Sequence, residues 1–453
     1  MTTPPSRRQF LESTAAAMML VPMAEAACGE EPNRRPRIAA LASTYFYLSH
    51  AYHIVGRFLD GFTVYGDDRA PAGREATSHK PAFDVASLYI EQVAEDSDLG
   101  RAKAKRHGVR LSPTIEDALT LGTGKLAVDA VLLIAEHGDY PLNEKLQKLY
   151  PRGAYFRQVL DVFRASGKVA PVFIDKHLSY SRAEGQRMVD QARGLGVPLM
   201  AGSSLPVTWR LPELEIPLGR PFRDVLVASR GNLEIFGFHA LETLQCMAER
   251  RDRAGKPQGV KSVTYLEGEE VWAAADRGVW SWELLKHALG RSHTLNPGDI
   301  RQNCRDFATP SVRDASTILR GPNAFVVEYV DGLRATSIIL NGHVDDTTVA
   351  VRTQDSQGRE TIVSTLTYLP APPGARFFDP LVLRIEDFFR TKKPPYPAER
   401  TLLTGGILDA ALDSRVRGHV PVPTPELAGI DYEAPADSGF IRTPLAEPRP
   451  NRL

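Results

Sequence analysis

Val128-Asp129-Ala130-Val131-Leu132-Leu133-Ile134 is a short, almost unbroken apolar run, and Glu136-His137-Gly138-Asp139-Tyr140 follows it after one alanine. A run of that length bounded by polar residues reads as a strand buried on both faces. The chain around it repeats the pattern: residues 38–42, 85–90, 169–174 and 198–202 are further apolar runs. Helical patterning fills the gaps at 47–62, 98–107, 156–166 and 183–194, and Thr114 is placed to cap another helix at Ser112-Pro113-Thr114-Ile115-Glu116. Continuous apolar strands alternating with helices predict a parallel sheet covered on both faces. Sheets of this kind bind ligands beyond the carboxyl ends of their strands. The residues that follow each strand are therefore the site candidates: Ser43, Thr44 and Tyr45; Glu91; Glu136 and His137; Asp175, Lys176 and His177; and Ser203 with Ser204.

The second half is patterned differently. Residues 225–228, 262–265, 324–329, 335–340 and 348–352 read as longer, partly alternating strands, with turn signals at Asp331-Gly332, Asn341-Gly342 and Ser356-Gln357-Gly358. This predicts a large, mainly antiparallel sheet, accompanied by helices at 238–250, 281–289, 382–389 and 398–415. The fold class is thus α/β: a parallel-sheet domain over 36–205, then an α/β domain over 206–424 and an extended tail over 425–453, loosely attached from about 433. The polar stretch 65–81 reads as a surface insertion.

Upstream of the first strand, Ser6-Arg7-Arg8-Gln9-Phe10-Leu11 precedes an uncharged, mostly apolar segment, Ser13 to Ala24, which closes on Ala24-Glu25-Ala26. A charged start, a short apolar run and an A-x-A site describe a cleavable signal, and the arginine pair marks its twin-arginine version. Residues 1–28 are accordingly expected to be a signal peptide read by the twin-arginine export machinery, with the mature protein periplasmic or otherwise exported. The apolar run is shorter than the roughly 20 residues of a membrane span, so no stable membrane anchor is expected. The 453 residues carry 55 Lys plus Arg against 55 Asp plus Glu, and this balance argues against nucleic acid as a partner. Of the three cysteines, Cys28 falls beside the signal; Cys246 and Cys304 could pair in an oxidising compartment, but Cys246 lies in an apolar stretch and reads as a buried thiol.

With these residues in place, the chain resembles the glucose–fructose oxidoreductase / inositol dehydrogenase (Gfo/Idh/MocA) family over most of 36–424. Asp175-Lys176 is similar to that family's Glu-Lys-Pro loop, with His177 where the family has proline; Lys176 matches its active-site lysine. Gly237-Phe238-His239-Ala240-Leu241-Glu242 resembles Gly-x-His-x-x-Asp, which aligns His239 with the active-site histidine. Phe388-Phe389 through Pro397-Ala398-Glu399 to Ser414 resembles the family's closing helix pair, and His50 falls where a first-helix histidine is common. The resemblance implies a Rossmann-like fold for 36–205, NAD or NADP as cofactor, a small carbohydrate substrate, catalytic roles for Lys176, His239, Asp175 and His177, and homo-oligomers formed through the open face of the second sheet. The dinucleotide fingerprint is absent, however: its three glycine positions hold Ala42, Thr44 and Tyr47. Ser43, Thr44, Tyr45, Glu91, Glu136 and His137 are the residues left to face a nucleotide.

Three functions remain open: an oxidoreductase acting on a sugar or cyclitol hydroxyl, a nucleotide-free carbohydrate-active enzyme with or without metal assistance, and a non-catalytic carbohydrate-binding protein. His50 and His53 share a helix face and, with Glu136, His137, Asp139 and His177, are residue types that hold a divalent metal, though without a compact ligand motif. Trp209, Trp272, Trp280 and Trp282 read as core, with Trp280 and Trp282 able to present one ring to a sugar.

Overall fold

Apolar runs that can be covered on both faces become the central strands of the first sheet. A computed structural model describes residues 34–65, 76–306, 308–310, 318–370 and 375–442 of the chain. The strands are β1 (Arg37–Ala42), β2 (Asp84–Ile90), β3 (Arg110–Leu111), β4 (Ala130–Ile134), β5 (Val172–Asp175) and β6 (Leu199–Gly202). They lie in the order β3-β2-β1-β4-β5-β6, all parallel. This is the doubly wound order whose reversal lies between β1 and β4. Val131, Leu132, Leu133 and Ile134 are fully buried. Burial of each such side chain stabilises by roughly 1.5–3 kcal/mol, so this run anchors the layer.

Helices cover the two faces. His50–Asp60 starts at the Ser49 cap and buries Ala51, Ile54, Val55 and Phe58; Arg152–Ser166 covers the opposite face with Tyr155, Phe156, Val159 and Leu160. Thr114 caps Ile115–Thr120 as expected, its side chain accepting the Asp117 N–H. One local expectation is revised and one strand was not foreseen. The insertion after the first helix includes a two-stranded hairpin, Phe62–Tyr65 with Ala76–His79, and β3 is too short for any apolar period to announce it.

The second sheet contains β7 (Trp209–Leu211), β8 (Phe222–Ser229), β9 (Val260–Glu267), β10 (Asn323–Tyr329), β11 (Arg334–Ile339), β12 (Thr347–Gln354), β13 (Glu360–Tyr368) and β14 (Val422–Pro423). Its order is β14-β9-β10-β11-β8-β12-β13-β7, and every pair is antiparallel except β8 with β11. The boundary expected at 205/206 falls between β6 of the first sheet and β7 of the second. Both sheets nevertheless share one core, because the helix Ala398–Val416 packs on β6, β9 and the helices Arg182–Leu195 and Ile235–Ala248. A buried ion pair, Arg400 Nε to Glu249 Oε2 at 2.8 Å, fastens it there.

The face that the resemblance assigns to oligomer contacts is not bare. Glu269–Asp276 and Trp282–Leu289 lie across it, burying Trp272, Trp280, Leu284 and Leu285 against Leu226, Ala228, Ala324, Ile338 and Ala350. Trp272 and Trp282 stack with centroids 5.5 Å apart, and Trp280 Nε1 donates to the Val271 carbonyl at 2.8 Å. These indoles form the cover's own core, and Trp280 is 5% exposed, so it presents no ring to a sugar.

The expected loose attachment of the tail is corrected for its described part, up to residue 442. Tyr432, Phe440 and Ile441 are buried, Tyr432 Oη donates to Glu249 at 2.8 Å, and the Ile441 N–H reaches the Val207 carbonyl at 2.9 Å. The signal read over 1–28 lies outside the described residues. Cys246 and Cys304 are both buried and unpaired with each other; Cys246 Sγ accepts from Arg210 Nη2 at 3.1 Å.

Candidate active site

The carboxyl ends of β4, β5 and β6 converge on a buried group of charges. Glu136 follows β4 and is 2% exposed. Its Oε1 accepts Lys176 Nζ at 2.7 Å, and its Oε2 accepts Arg152 Nη2, from the first turn of Arg152–Ser166. Burial pushes the Glu136 carboxyl up, but Lys176 and Arg152 together outweigh it and hold the group well below the usual carboxylate range. Lys176 is thereby fixed on Glu136, its side chain 3% exposed. It sits in the left-handed region, φ 61°, where its N–H pairs with the Gly202 carbonyl at 3.1 Å, and that bend turns its side chain under the strand ends.

Two histidines border this cluster and retain the most exposure within it. His50 Nδ1 lies 2.6 Å from Asp175 Oδ2, with the His50 side chain 14% exposed and Asp175 fully buried. His239, early in Ile235–Ala248, places Nδ1 2.9 Å from Ser203 Oγ, with its side chain 12% exposed. Glu242 holds Ser203 from the other side: Oε1 accepts the Ser203 N–H at 3.0 Å and Oε2 accepts its hydroxyl. Burial depresses the His239 pKa, and neighbouring Lys176 adds to the effect against the opposing pull of Glu242, so the ring is neutral at neutral pH. His177 is also held well below its usual range by burial, and packs edge-on against Phe238 at 5.2 Å.

Arg152 and Glu234 were not legible as site residues. Glu234 precedes the helix that carries His239, is 5% exposed, and accepts the Lys148 N–H at 3.1 Å. Burial raises its pKa to about 7. Both residues reach the cluster from loops and helix starts whose local sequence shows only a charged residue at a helix terminus.

The switch point between β1 and β4 opens into a cavity of about 530 Å³ lined by Thr44, Tyr45, Phe46, Tyr47, Gln92, Ser97, Asp98 and Asp139, among others. Of the residues expected to face a nucleotide, only Thr44 and Tyr45 line it. Ser43 Oγ instead ties β1 to the β4 end by donating to the carbonyls of Glu136 at 2.9 Å and His137 at 3.0 Å. Glu91 points to the Tyr140 hydroxyl, and Tyr45 is 1% exposed. Tyr47, at the third glycine position, is 54% exposed and so does not wedge between the first helix and the sheet.

A dinucleotide of the glycine-loop kind does not fit these residues. The amides that would face a pyrophosphate are partly consumed: Ser49 Oγ accepts the N–H groups of Phe46 at 3.2 Å and Tyr52 at 3.1 Å. The cavity lining includes no Lys, Arg or His to meet a phosphate, and the Asp98 carboxylate in that lining is already paired with Arg101 at 3.0 Å. A metal site is not formed either, since among the described residues no three of His, Cys, Asp and Glu come together to hold an ion. His53, expected among the ligands, stacks on Phe378 at 4.7 Å, and burial beside Arg57 lowers its pKa to about 3. Among the described residues no helix is long and apolar enough to cross a membrane.

The class that fold and site define is a Rossmann-like domain joined to an α/β domain built on a mainly antiparallel sheet, with Lys176 and His239 at the junction of the two sheets. Among solved structures, the chain is similar to GenD2 from gentamicin A biosynthesis in complex with NAD, at 16% identity and TM-score 0.50 over 87% of this chain and 98% of that one. Myo-inositol dehydrogenase from Lactobacillus casei in complex with NAD(H) and myo-inositol matches at 11% identity and TM-score 0.49, over 86% and 97% of the two chains. The WlbA dehydrogenase from Bordetella pertussis in complex with NADH and UDP-GlcNAcA matches at 14% and 0.47, over 86% and 99%. No family model matches the sequence, and no curated protein matches it. The structures it resembles are Gfo/Idh/MocA-type dehydrogenases, so the resemblance drawn from the sequence holds at the level of the fold.

Proposed function

We propose that the chain is an exported enzyme of the Gfo/Idh/MocA oxidoreductase type that acts on a hydroxyl of a small sugar or cyclitol. One observation carries the reading: two partly exposed imidazoles, His50 and His239, each have Nδ1 tied to an acidic system beside the buried Lys176–Glu136 pair. A histidine held at Nδ1 offers Nε2 for proton transfer. His239 accepts the hydroxyl proton at Nε2. The Lys176 ammonium, fixed by Glu136, supplies positive potential that favours the alkoxide left behind. Turning such deprotonation into oxidation would require a hydride acceptor, and the similar GenD2 crystal holds NAD; the β1 loop of this chain offers no glycine-type seat for one.

That loop favours a second reading: a nucleotide-free enzyme that uses the same imidazoles for proton transfer at a carbohydrate. The test is to denature natively exported protein and identify what it releases by mass spectrometry. Near-stoichiometric NAD or NADP establishes the oxidoreductase. No nucleotide, with no NAD(P)H binding on add-back, removes it and leaves the second reading. Export itself rests on Arg7-Arg8, the apolar segment and the Ala24-Glu25-Ala26 site.

A further inference from the structure

The role given to His239 deepens once the protons around Ser203 are counted. Ser203 Oγ has three neighbours: Glu242 Oε2, the Leu205 N–H at 3.3 Å and His239 Nδ1 at 2.9 Å. A serine hydroxyl has one proton to give and two lone pairs to accept with. The Leu205 amide can only donate. Glu242 is 1% exposed, and its other oxygen is held by the Ser203 N–H, so as a carboxylate it can only accept. The single hydroxyl proton therefore goes to Glu242. What remains for His239 is a lone pair on Oγ, which requires the proton to sit on Nδ1. The opposite assignment, with the hydroxyl turned to a bare Nδ1, sets lone pairs of Ser203 and Glu242 against each other inside the protein.

We infer that Ser203 is a positioning residue: its hydroxyl, donating to Glu242 and accepting from His239, locks His239 in the Nδ1–H tautomer and leaves Nε2 as the bare, proton-accepting nitrogen. Glu242 acts on the imidazole through the serine, since its Oε2 lies 3.7 Å from Nδ1. When Nε2 takes a proton from a substrate hydroxyl, the O–H bond breaks and an N–H bond forms. The resulting imidazolium keeps its Nδ1–H on Ser203, whose own proton remains on Glu242, so no other group need move. Lys176 and His50 are the other charged or titratable groups acting on this ring. The inference rests on the reading of His239 as proton acceptor, but its test does not require turnover.

The experiment is a long-range ¹H–¹⁵N correlation spectrum of the full chain with ¹⁵N-labelled histidine, with the His239 ring assigned by loss of its signals in His239→Gln. The wild type is expected in the Nδ1–H tautomer by about fivefold or more, the ratio that a typical neutral hydrogen bond supplies. Ser203→Ala is expected to move His239 to the Nε2–H form or an even mixture, and Ser203→Thr, which keeps the hydroxyl, is expected to restore it. An Nε2–H ring in the wild type overturns the inference, as does an unchanged tautomer in Ser203→Ala. If Ser203→Ala does not fold, the wild-type and Ser203→Thr spectra still decide. Failure to find nucleotide or turnover would remove the oxidoreductase reading and leave the tautomer result standing.

Discussion

Replacing Glu136 by Gln probes the densest charge cluster in the protein. The substitution keeps the shape but leaves Lys176 and Arg152, 2% and 1% exposed, without their carboxylate. At 2.7 Å from Lys176, and with an effective dielectric of about 20, the Coulomb attraction is on the order of 6 kcal/mol before desolvation is counted. Breaking a buried pair by removing one partner typically costs about 3–5 kcal/mol, and here two cations lose their partner, so the upper part of that range is expected. At about 2.1 cal/mol/K per residue over roughly 400 residues, a loss of about 5 kcal/mol lowers Tm by about 6 °C. Urea unfolding and calorimetry on the purified chain read this directly. The pH dependence follows in sign. The Glu136 pKa is depressed in the folded state, so its contribution is complete above the ordinary glutamate pKa of about 4.3 and is lost as pH falls through the folded value. Glu136→Gln should remove that acid-side component. A loss below about 1 kcal/mol, the range of an exposed pair, would refute the picture of a dry, mutually dependent triad.

Glu234→Gln should stabilise the protein at pH 8 by roughly 2–3 kcal/mol, because burial raises the Glu234 pKa to about 7 and the folded state must release that proton as pH rises. Equal stability of variant and wild type across pH 5 to 8 would contradict the burial of that carboxyl. If turnover is found, its rate should rise through a pH below the ordinary histidine value of about 6.5 and stay level above it, since His239 is depressed by burial; His239→Gln should abolish that limb and cost about 10²–10⁴-fold in rate. Cys246 and Cys304 should remain free thiols after export, becoming reactive to a thiol reagent only on denaturation, and a Cys246–Cys304 peptide in a non-reducing digest would contradict this. Replacing Arg7 and Arg8 together by Lys should retain the chain in the cytoplasm, with fractionation against a Sec-dependent control as the check.

The first sheet was legible because its strands are apolar on both faces. Residues 128–134 and their neighbours could be nothing but buried, and the polar residues that follow them had to lie at one edge. The turn residues Asp331-Gly332 and Ser356-Gln357-Gly358 likewise announced the β10–β11 and β12–β13 hairpins. Lys176 and His239 were legible only through resemblance. Strand β3 and the hairpin Ala76–His79 carried no period to read.

The chemistry of the site was decided by tertiary structure. Glu136 and Lys176 are 40 residues apart, Ser203 and His239 are 36 apart, and they meet only because β4, β5 and β6 are neighbours and one helix of the second half lies across their ends. Local sequence determines which residues must be buried or turned. It does not determine which strand lies next to which, because that order is set by the packing of whole layers. The same packing covered the second sheet's outer face with Trp272 and Trp280 and closed the loop after β1 onto Ser49. From sequence, the missing glycines showed that a dinucleotide would lack its usual seat; only the folded loop showed what occupies that place, because amides and side chains reveal their partners only once the chain brings them together.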